Sequence, residues 1–371
     1  MTKIMHIISD TNIGGAGNLL LNYLAAYDRK SFEQHVVLPS GSMLLPRLKT
    51  LDVTIHETVM LRDKSLDLKA IPELRRVIRT VRPDIVHTHG ALSGRIAARL
   101  CGRKIVFTRH SAFPPSPRTT RGIGKLLFKT INEWLADAII AVGPVCADAL
   151  FACGISQKRV FTFFNGVLPI QPRTDDEKSA LRPLYGINDG DFVASIIARI
   201  EPYKGQMTVV DAAAELARQD LYPKIIIAGT GGQESDVRAR ARELGVTENV
   251  IFAGFVSDVE GLLAINDVQI NASTVEASSL SLLEGMSAGI PAAVSNTSGN
   301  PFIIDDGENG LLFEVENPTA LAAVLRRYMT EPELRQKIGV RAREIYEERF
   351  TARRLAADTE KVYKHLTEDR K

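Results

Sequence analysis

Two glutamates eight positions apart, Glu276 and Glu284 in VEASSLSLLEGMSAGIP, have the spacing in this chain best suited to chemistry. The segment reads as a loop feeding a helix, with Glu276 ahead of the helix start and Glu284 about two turns further along. The backbone N–H groups of Ser279 and Leu280 would then open the helix, where unpaired donors and the helix dipole favour a diphosphate. Carboxylates so placed can accept hydrogen bonds from hydroxyl groups at two ends of an elongated ligand. Arg199 and Lys204, in ARIEPYKG, follow the β-branched run FVASII. Two cations at a strand end can neutralise a departing diphosphate without a metal. Gly205 lets the backbone turn closely behind them. Gly14, Gly15 and Ala16, in NIGGAG, stand between an apolar run and a helical one, and small residues there allow close approach to a phosphate or sugar.

Other candidates are weaker. His110, in FTRHSAF, lies just beyond a strand. His87-Thr88-His89 offers two imidazoles on alternate residues, but zinc needs a third ligand at least, and no further Cys, His or acid is compellingly placed. Asp189-Gly190-Asp191 mimics a metal-binding DxD, yet it falls between LYG and a strand and reads as a turn. The Gly229-Thr-Gly231-Gly232 turn lacks the third glycine of a dinucleotide fingerprint. No metal or cofactor is expected.

The elements that must hold these residues alternate. KIMHIIS, QHVVLP, DVTIHET, DIVHTH, KIVFTRH and AIIAV are short β-branched runs separated by helix-like stretches. FVASIIARI, KIIIAGTG, NVIFAGFV, DVQINAS, PAAVSN and GLLFE form a second such series. Strands alternating with helices imply parallel βαβ units, hence an α/β chain of two doubly wound, Rossmann-like parallel sheets. The expected division is a first domain over 1–168, a Pro- and acid-rich linker over 169–190, a second domain over 191–348, and a polar-faced C-terminal helix over 349–371 able to pack back on the first domain.

The chain has 371 residues, 45% hydrophobic and 24% charged, which suits a globular two-domain protein. No stretch reads as a membrane span or a signal peptide, and three cysteines without a CxxC fit a reducing compartment, so the cytoplasm is the default location. Residues 1–170 carry 23 Lys+Arg against 12 Asp+Glu, whereas residues 171–371 carry 23 against 32. A net +11 half beside a net −9 half suggests an anionic partner for the first. No nucleic-acid module is present, so an anionic membrane surface or acceptor fits better. RTTRGIGKLLFK sharpens the point, because a helix from Arg121 gathers Arg121, Lys125 and Lys129 on one face, leaving Ile123, Leu126, Leu127 and Phe128 for lipid or core.

NIGGAG, DIVHTHGALSGRIAARL, FTRHSAF, ARIEPYKG and VEASSLSLLEGMSAGIP, in this order along nearly the whole chain, resemble the family 4 retaining glycosyltransferases of glycosyl transferases group 1. FNGV and ENGLLFE agree in their usual places. The resemblance implies a GT-B fold, two Rossmann-like domains facing across a cleft, and a nucleotide-sugar donor, with UDP-sugar favoured. It implies that Glu276 holds donor-sugar hydroxyls, Glu284 the ribose, Arg199 and Lys204 the diphosphate, and that His110 faces the donor sugar. Gly14, Gly15 and Ala16 then form the loop under the donor's phosphate and sugar, or near the acceptor. Ser278 and Ser279 stand where many relatives have Gly, a departure that bears on the donor sugar rather than the reaction. The implied acceptor is a saccharide, glycolipid or lipid-linked hydroxyl; the two cations and the helix N-terminus predict metal independence, and the charge split suggests a peripheral place at the inner membrane face, the alternative being a solvated helix face packed on its own domain. The rivals are a UDP-sugar epimerase of the same fold, a non-catalytic nucleotide-sugar-binding protein and an NAD-dependent oxidoreductase. Incubation with donor alone distinguishes the first, and cofactor fluorescence the last.

Overall fold

The computed structural model describes residues 1–62 and 64–368, so the last three residues of the expected C-terminal helix, 369–371, lie outside the described residues. Strands β1 (Thr2–Ile8), β2 (Phe32–Pro39), β3 (Thr54–Thr58), β4 (Ile85–His89), β5 (Lys104–Arg109), β6 (Ala138–Ala141) and β7 (Val160–Thr162) form one sheet, in the order β3-β2-β1-β4-β5-β6-β7. Strands β8 (Val193–Ile197), β9 (Lys224–Ala228), β10 (Val250–Gly254), β11 (Val268–Asn271), β12 (Ala292–Ser295) and β13 (Leu311–Phe313) form the other, in the order β10-β9-β8-β11-β12-β13. Neighbouring strands pair in parallel throughout both sheets. Parallel strands need crossover helices, which cover both faces, so the strands are nearly continuous apolar runs. Ile4, Met5, Ile7 and Ile8 of β1 are fully buried, as are Ile225, Ile226 and Ile227 of β9. In each sheet the strand order reverses once, between β1 and β4 and between β8 and β11. Loops leaving the carboxyl ends on either side of such a reversal diverge, and ligands bind there.

The chain forms two compact units. The first comprises Met1–Leu168 together with the segment from Thr351 onward, and the second comprises Pro169–Phe350. Helix Ala352–Glu368 enters the first unit through a bridge between Val167 and Thr351 and packs on helix Gly15–Ala26. Its Glu360 accepts a hydrogen bond from the Asp28 amide at 2.8 Å, and its Tyr363 is fully buried. Residues 169–190, expected as a linker, belong to the second unit and are structured. Helix Asp175–Leu181 starts with a capping box between Thr174 and Glu177, and Ile187 is buried with Val193, Ile226 and Leu262. A capping box satisfies two orphan backbone donors reciprocally, and T-D-D-E was its sequence signature.

The first sheet buries histidines where a parallel sheet ordinarily carries aliphatics. β4 reads IVHTH and is buried at every position. Alternation puts His87 and His89 on one face, and the register sets His6 of β1 opposite His87. The ring centroids of His6 and His87 are 5.1 Å apart, and those of His87 and His89 4.5 Å apart. His89 in turn lies against His110, just past β5, with centroids 5.4 Å apart. Burial disfavours the charged ring, lowering His6 to about 3 and His110 to about 4, and holding His87 and His89 well below the ordinary value.

This burial has a signed consequence. Unfolded, each ring takes a proton near pH 6.5, whereas the folded rings stay neutral to far lower pH. Between pH 6.5 and about 4 the unfolded chain therefore binds more protons, and stability falls as pH falls, by about 1.4 kcal/mol per pH unit for each such histidine. All seven histidines lie in the first unit, as does the single tryptophan, Trp134. Urea titrations followed by Trp134 fluorescence should show a clearly lower midpoint at pH 5 than at pH 7. Equal midpoints would mean that these rings titrate normally.

Candidate active site

In the second unit the expected cations meet Glu276 at the strand reversal. Arg199 leaves the end of β8, and Lys204 ends a short 3-10 turn, Pro202–Lys204. Gly205 follows with φ of 76°, and a Cβ there would lie 2.2 Å from the carbonyl oxygen of Ala272, just past β11. Only glycine both tolerates that φ and leaves room for the two loops to touch. The contact brings Lys204 to Glu276, with Nζ 2.6 Å from Oε2, and Ser273 Oγ donates to the same oxygen at 3.3 Å. Arg199 donates to the Tyr203 hydroxyl at 2.7 Å, and Gln206 Nε2 holds the Arg199 carbonyl at 2.9 Å. Beneath them the Gly229 turn packs on the backbone, since Cβ atoms at Gly229 and Gly231 would fall 2.0 and 2.1 Å from the carbonyl oxygens of Ala198 and Ile200. Its glycines thus support the Arg199 loop.

Glu276 lies ahead of helix Leu280–Ser287, whose N-cap is Ser279 and whose first residue is Leu280. Ser279 Oγ accepts from the Leu282 amide at 3.4 Å. The Glu276 carbonyl is held by the Gly299 amide and the Ser298 hydroxyl, both at 2.8 Å. Glu284 sits half-buried on the same helix. Two cations, a helix N-terminus and the Glu276 carboxylate therefore gather by the carboxyl ends of β8 and β11, with Glu284 further along the helix, a set suited to a polyanion carrying hydroxyl groups.

In the first unit the corresponding edge carries the glycine loop and the histidines. Gly14 is the N-cap of helix Gly15–Ala26, with Gly15 and Ala16 in its first turn. His110 Nε2 lies 3.2 Å from His89 Nδ1. His6 supplies the third imidazole beside His87 and His89, and ligand atoms of the three rings lie within 4.8 Å of one another. This corrects the expectation that the pair has no third partner, which was illegible because parallel register brings His6 across from a distant segment. The rings are already engaged in hydrogen bonds. His87 reaches Tyr363 and Thr108, both at 2.6 Å, while His6 reaches His89 at 3.1 Å and Gln34 at 3.0 Å. A metal ion there would have to displace those bonds. Asp189-Gly190-Asp191 is a turn, in which Asp191 accepts from the Asn188 amide at 2.8 Å and Gly190 has φ of 87°.

The basic segment differs from expectation in its orientation. Helix Gly122–Trp134 has no buried residue. Lys125 and Lys129 lean inward, their stems 2.9 and 3.8 Å from where a Cβ on Gly154 would stand. Ile123, Leu126, Leu127, Ile131 and Trp134, spaced along one helical stripe, are 49–78% exposed. Among the described residues no helix is long and apolar enough to cross a membrane.

Residues 13–169 match the family described as Glycosyltransferase Family 4, and residues 177–345 match Glycosyl transferases group 1. The chain is 28% identical to EpsD of Bacillus subtilis (strain 168) over 358 residues, 92% of each chain. It is 24% identical over 333 residues to the UDP-Gal:alpha-D-GlcNAc-diphosphoundecaprenol alpha-1,3-galactosyltransferase of Escherichia coli, covering 85% of this chain and 84% of that one. Among solved structures, Anabaena Alr3699/HepE in complex with UDP and glucose superposes with a TM-score of 0.84 at 21% identity, covering 99% of this chain and 100% of the other, and shares its fold. With one family match on each unit and both parallel sheets in place, the chain belongs to the family 4-type glycosyltransferases of GT-B fold.

Proposed function

We propose that this glycosyltransferase moves a sugar from a UDP-sugar to a hydroxyl of a lipid-linked or saccharide acceptor, with retention of anomeric configuration, without a metal, and at an anionic membrane surface. The carrying observation is the Lys204–Glu276 pair beside Arg199 and the N-terminus of helix Leu280–Ser287. On this reading the diphosphate takes the charges of Arg199 and Lys204 and the N–H groups of Ser279 and Leu280. Glu276 turns to donor-sugar hydroxyls, Glu284 to the ribose, and His110 and the Gly14-Gly15-Ala16 loop serve the sugar and phosphate. The bond from the anomeric carbon to the phosphate oxygen breaks while the acceptor oxygen attacks from the same face. The acceptor proton passes to the departing phosphate oxygen. The protein's share is positioning and stabilisation of developing diphosphate charge. The UDP named for the HepE complex, and the UDP-Gal and diphosphoundecaprenol in the Escherichia coli enzyme's name, support the donor and acceptor classes.

The membrane component rests on helix Gly122–Trp134. A helix packed on its own domain turns its apolar stripe inward, whereas here the stripe faces out, with exposed Arg118 and Arg121 just ahead of the helix. That arrangement matches an interfacial helix, with apolar residues for the acyl boundary and cations for anionic headgroups.

Three measurements bear on this reading. Lys204→Ala and Arg199→Ala should each lower kcat by about 10²–10³, the usual cost of losing one stabiliser of developing charge, while EDTA leaves the wild-type rate unchanged. Near-normal turnover in both variants, or chelation reversed by Mg²⁺, would remove the basis for a metal-free donor site. Glu276→Gln should lower kcat far more than it weakens UDP binding, whereas Glu284→Gln should weaken both; equal losses of UDP affinity refute the division of roles. In vesicle sedimentation the protein should bind phosphatidylglycerol but not phosphatidylcholine vesicles. Leu126→Asp/Leu127→Asp should cut that binding by well over tenfold, because each buried leucine is worth about 1.5–3 kcal/mol, and binding unaffected by the double change would rule the helix out as the membrane contact.

A further inference from the structure

Gln34 on β2 is 2% exposed and bonds in two directions. Its Nε2 donates to the Tyr23 hydroxyl at 2.8 Å, and its Oε1 lies 3.0 Å from His6 Nε2. A carboxamide oxygen can only accept, so His6 carries its ring proton on Nε2. A neutral imidazole has one N–H, so His6 Nδ1 is bare and accepts from His89 Nε2 at 3.1 Å. His89 Nδ1 is bare for the same reason and accepts from His110 Nε2 at 3.2 Å. Each hydrogen bond fixes the next, and the sequence ends with the His110 proton on Nε2 and a lone pair on Nδ1.

The relay follows the sheet. Gln34, His6 and His89 lie on β2, β1 and β4, and His110 directly follows β5, so one residue comes from each of four neighbouring strands in spatial order. Desolvation keeps His6, His89 and His110 neutral at physiological pH, which the one-proton count requires. His87 stands outside the relay because its two nitrogens are taken by Tyr363 and Thr108.

We propose that Gln34, acting through His6 and His89, is a positioning residue that locks the His110 ring proton on Nε2 and so presents Nδ1 as a hydrogen-bond acceptor for a hydroxyl of the bound sugar. The use of that lone pair rests on the reading of His110 as facing the donor sugar, whereas the tautomer itself exists without donor. An acceptor nitrogen admits only a group that can donate, so the relay also decides which polarity of sugar substituent His110 tolerates. A reversed Gln34 amide would turn every donor round and leave His110 with its proton on Nδ1.

Seven histidines give a spectrum small enough to assign. In protein labelled with ¹⁵N-histidine, two-bond correlations from the ring nitrogens to the carbon-bound ring protons identify which nitrogen is protonated. The wild type at pH 7 should show His6, His89 and His110 each as a single Nε2–H tautomer. Gln34→Met, which removes the acceptor at similar volume, should give mixed tautomers at His110 and a kcat about tenfold lower, as expected for one neutral hydrogen bond, with little change in KM for the donor. Gln34→Glu keeps an acceptor facing His6 and should restore both the single tautomer and most of kcat. An Nδ1–H His110 in the wild-type spectrum overturns the relay whatever the enzyme transfers, and needs no variant to fold. An Nε2–H spectrum in Gln34→Met, unchanged from wild type, overturns the role of Gln34. The wild-type tautomer together with full transfer by His110→Ala overturns the use of the lone pair on substrate while leaving the glycosyltransferase reading of the second unit untouched.

Discussion

When all strands of a sheet run parallel, their carboxyl ends gather along one edge, and the helices that return the chain fill both faces. Reactive groups can then stand together only along that edge, and most freely where the strand order reverses and the loops part. Both sheets obey this. Arg199, Lys204 and Glu276 follow β8 and β11, while Gly14, His89 and His110 lie at or after the ends of β1, β4 and β5. The same constraint explains why glycines matter at Gly205 and in the turn at Gly229. Loops converging on one edge run backbone against backbone, and a single Cβ would separate them.

The Lys204–Glu276 pair shows how such an edge manages its charge. At 18% and 14% side-chain exposure neither group is fully solvated, and an unpaired charge there would be costly. Pairing at 2.6 Å meets that cost within the second unit itself. On the proposed reading a diphosphate offers the ammonium a stronger anion and sugar hydroxyls offer the carboxylate new donors. The exchange leaves neither group without a partner.

The two-sheet fold was readable because β-branched runs alternating with helical stretches admit few other arrangements. The places of Arg199 and Lys204 after β8, and of Glu276 ahead of helix Leu280–Ser287, were readable because strand, loop and helix signals are local in sequence. The capped helix inside residues 169–190 was overlooked because prolines and acids outweighed a four-residue capping signature. His6 and Gln34 could not be read, since strand register, a tertiary property, sets them beside residues far along the chain. Helix Gly122–Trp134 was visible as amphipathic, but amphipathicity does not say which stripe faces the domain, and Lys125 and Lys129 turned out to be the inward pair.

The segment from Thr351 onward belongs to the unit that begins at Met1, although the whole of Pro169–Phe350 intervenes. On the ribosome, the first sheet therefore emerges some 180 residues ahead of the helix that covers it. Until Ala352–Glu368 arrives, the face of helix Gly15–Ala26 that receives it is bare, and His87 lacks the Tyr363 hydroxyl. The second unit is contiguous and can complete its core as soon as it is synthesised, so the unit made first is the one finished last. A nascent chain of this protein passes through a stage with one closed unit and one still open, and chaperones would meet it in that form.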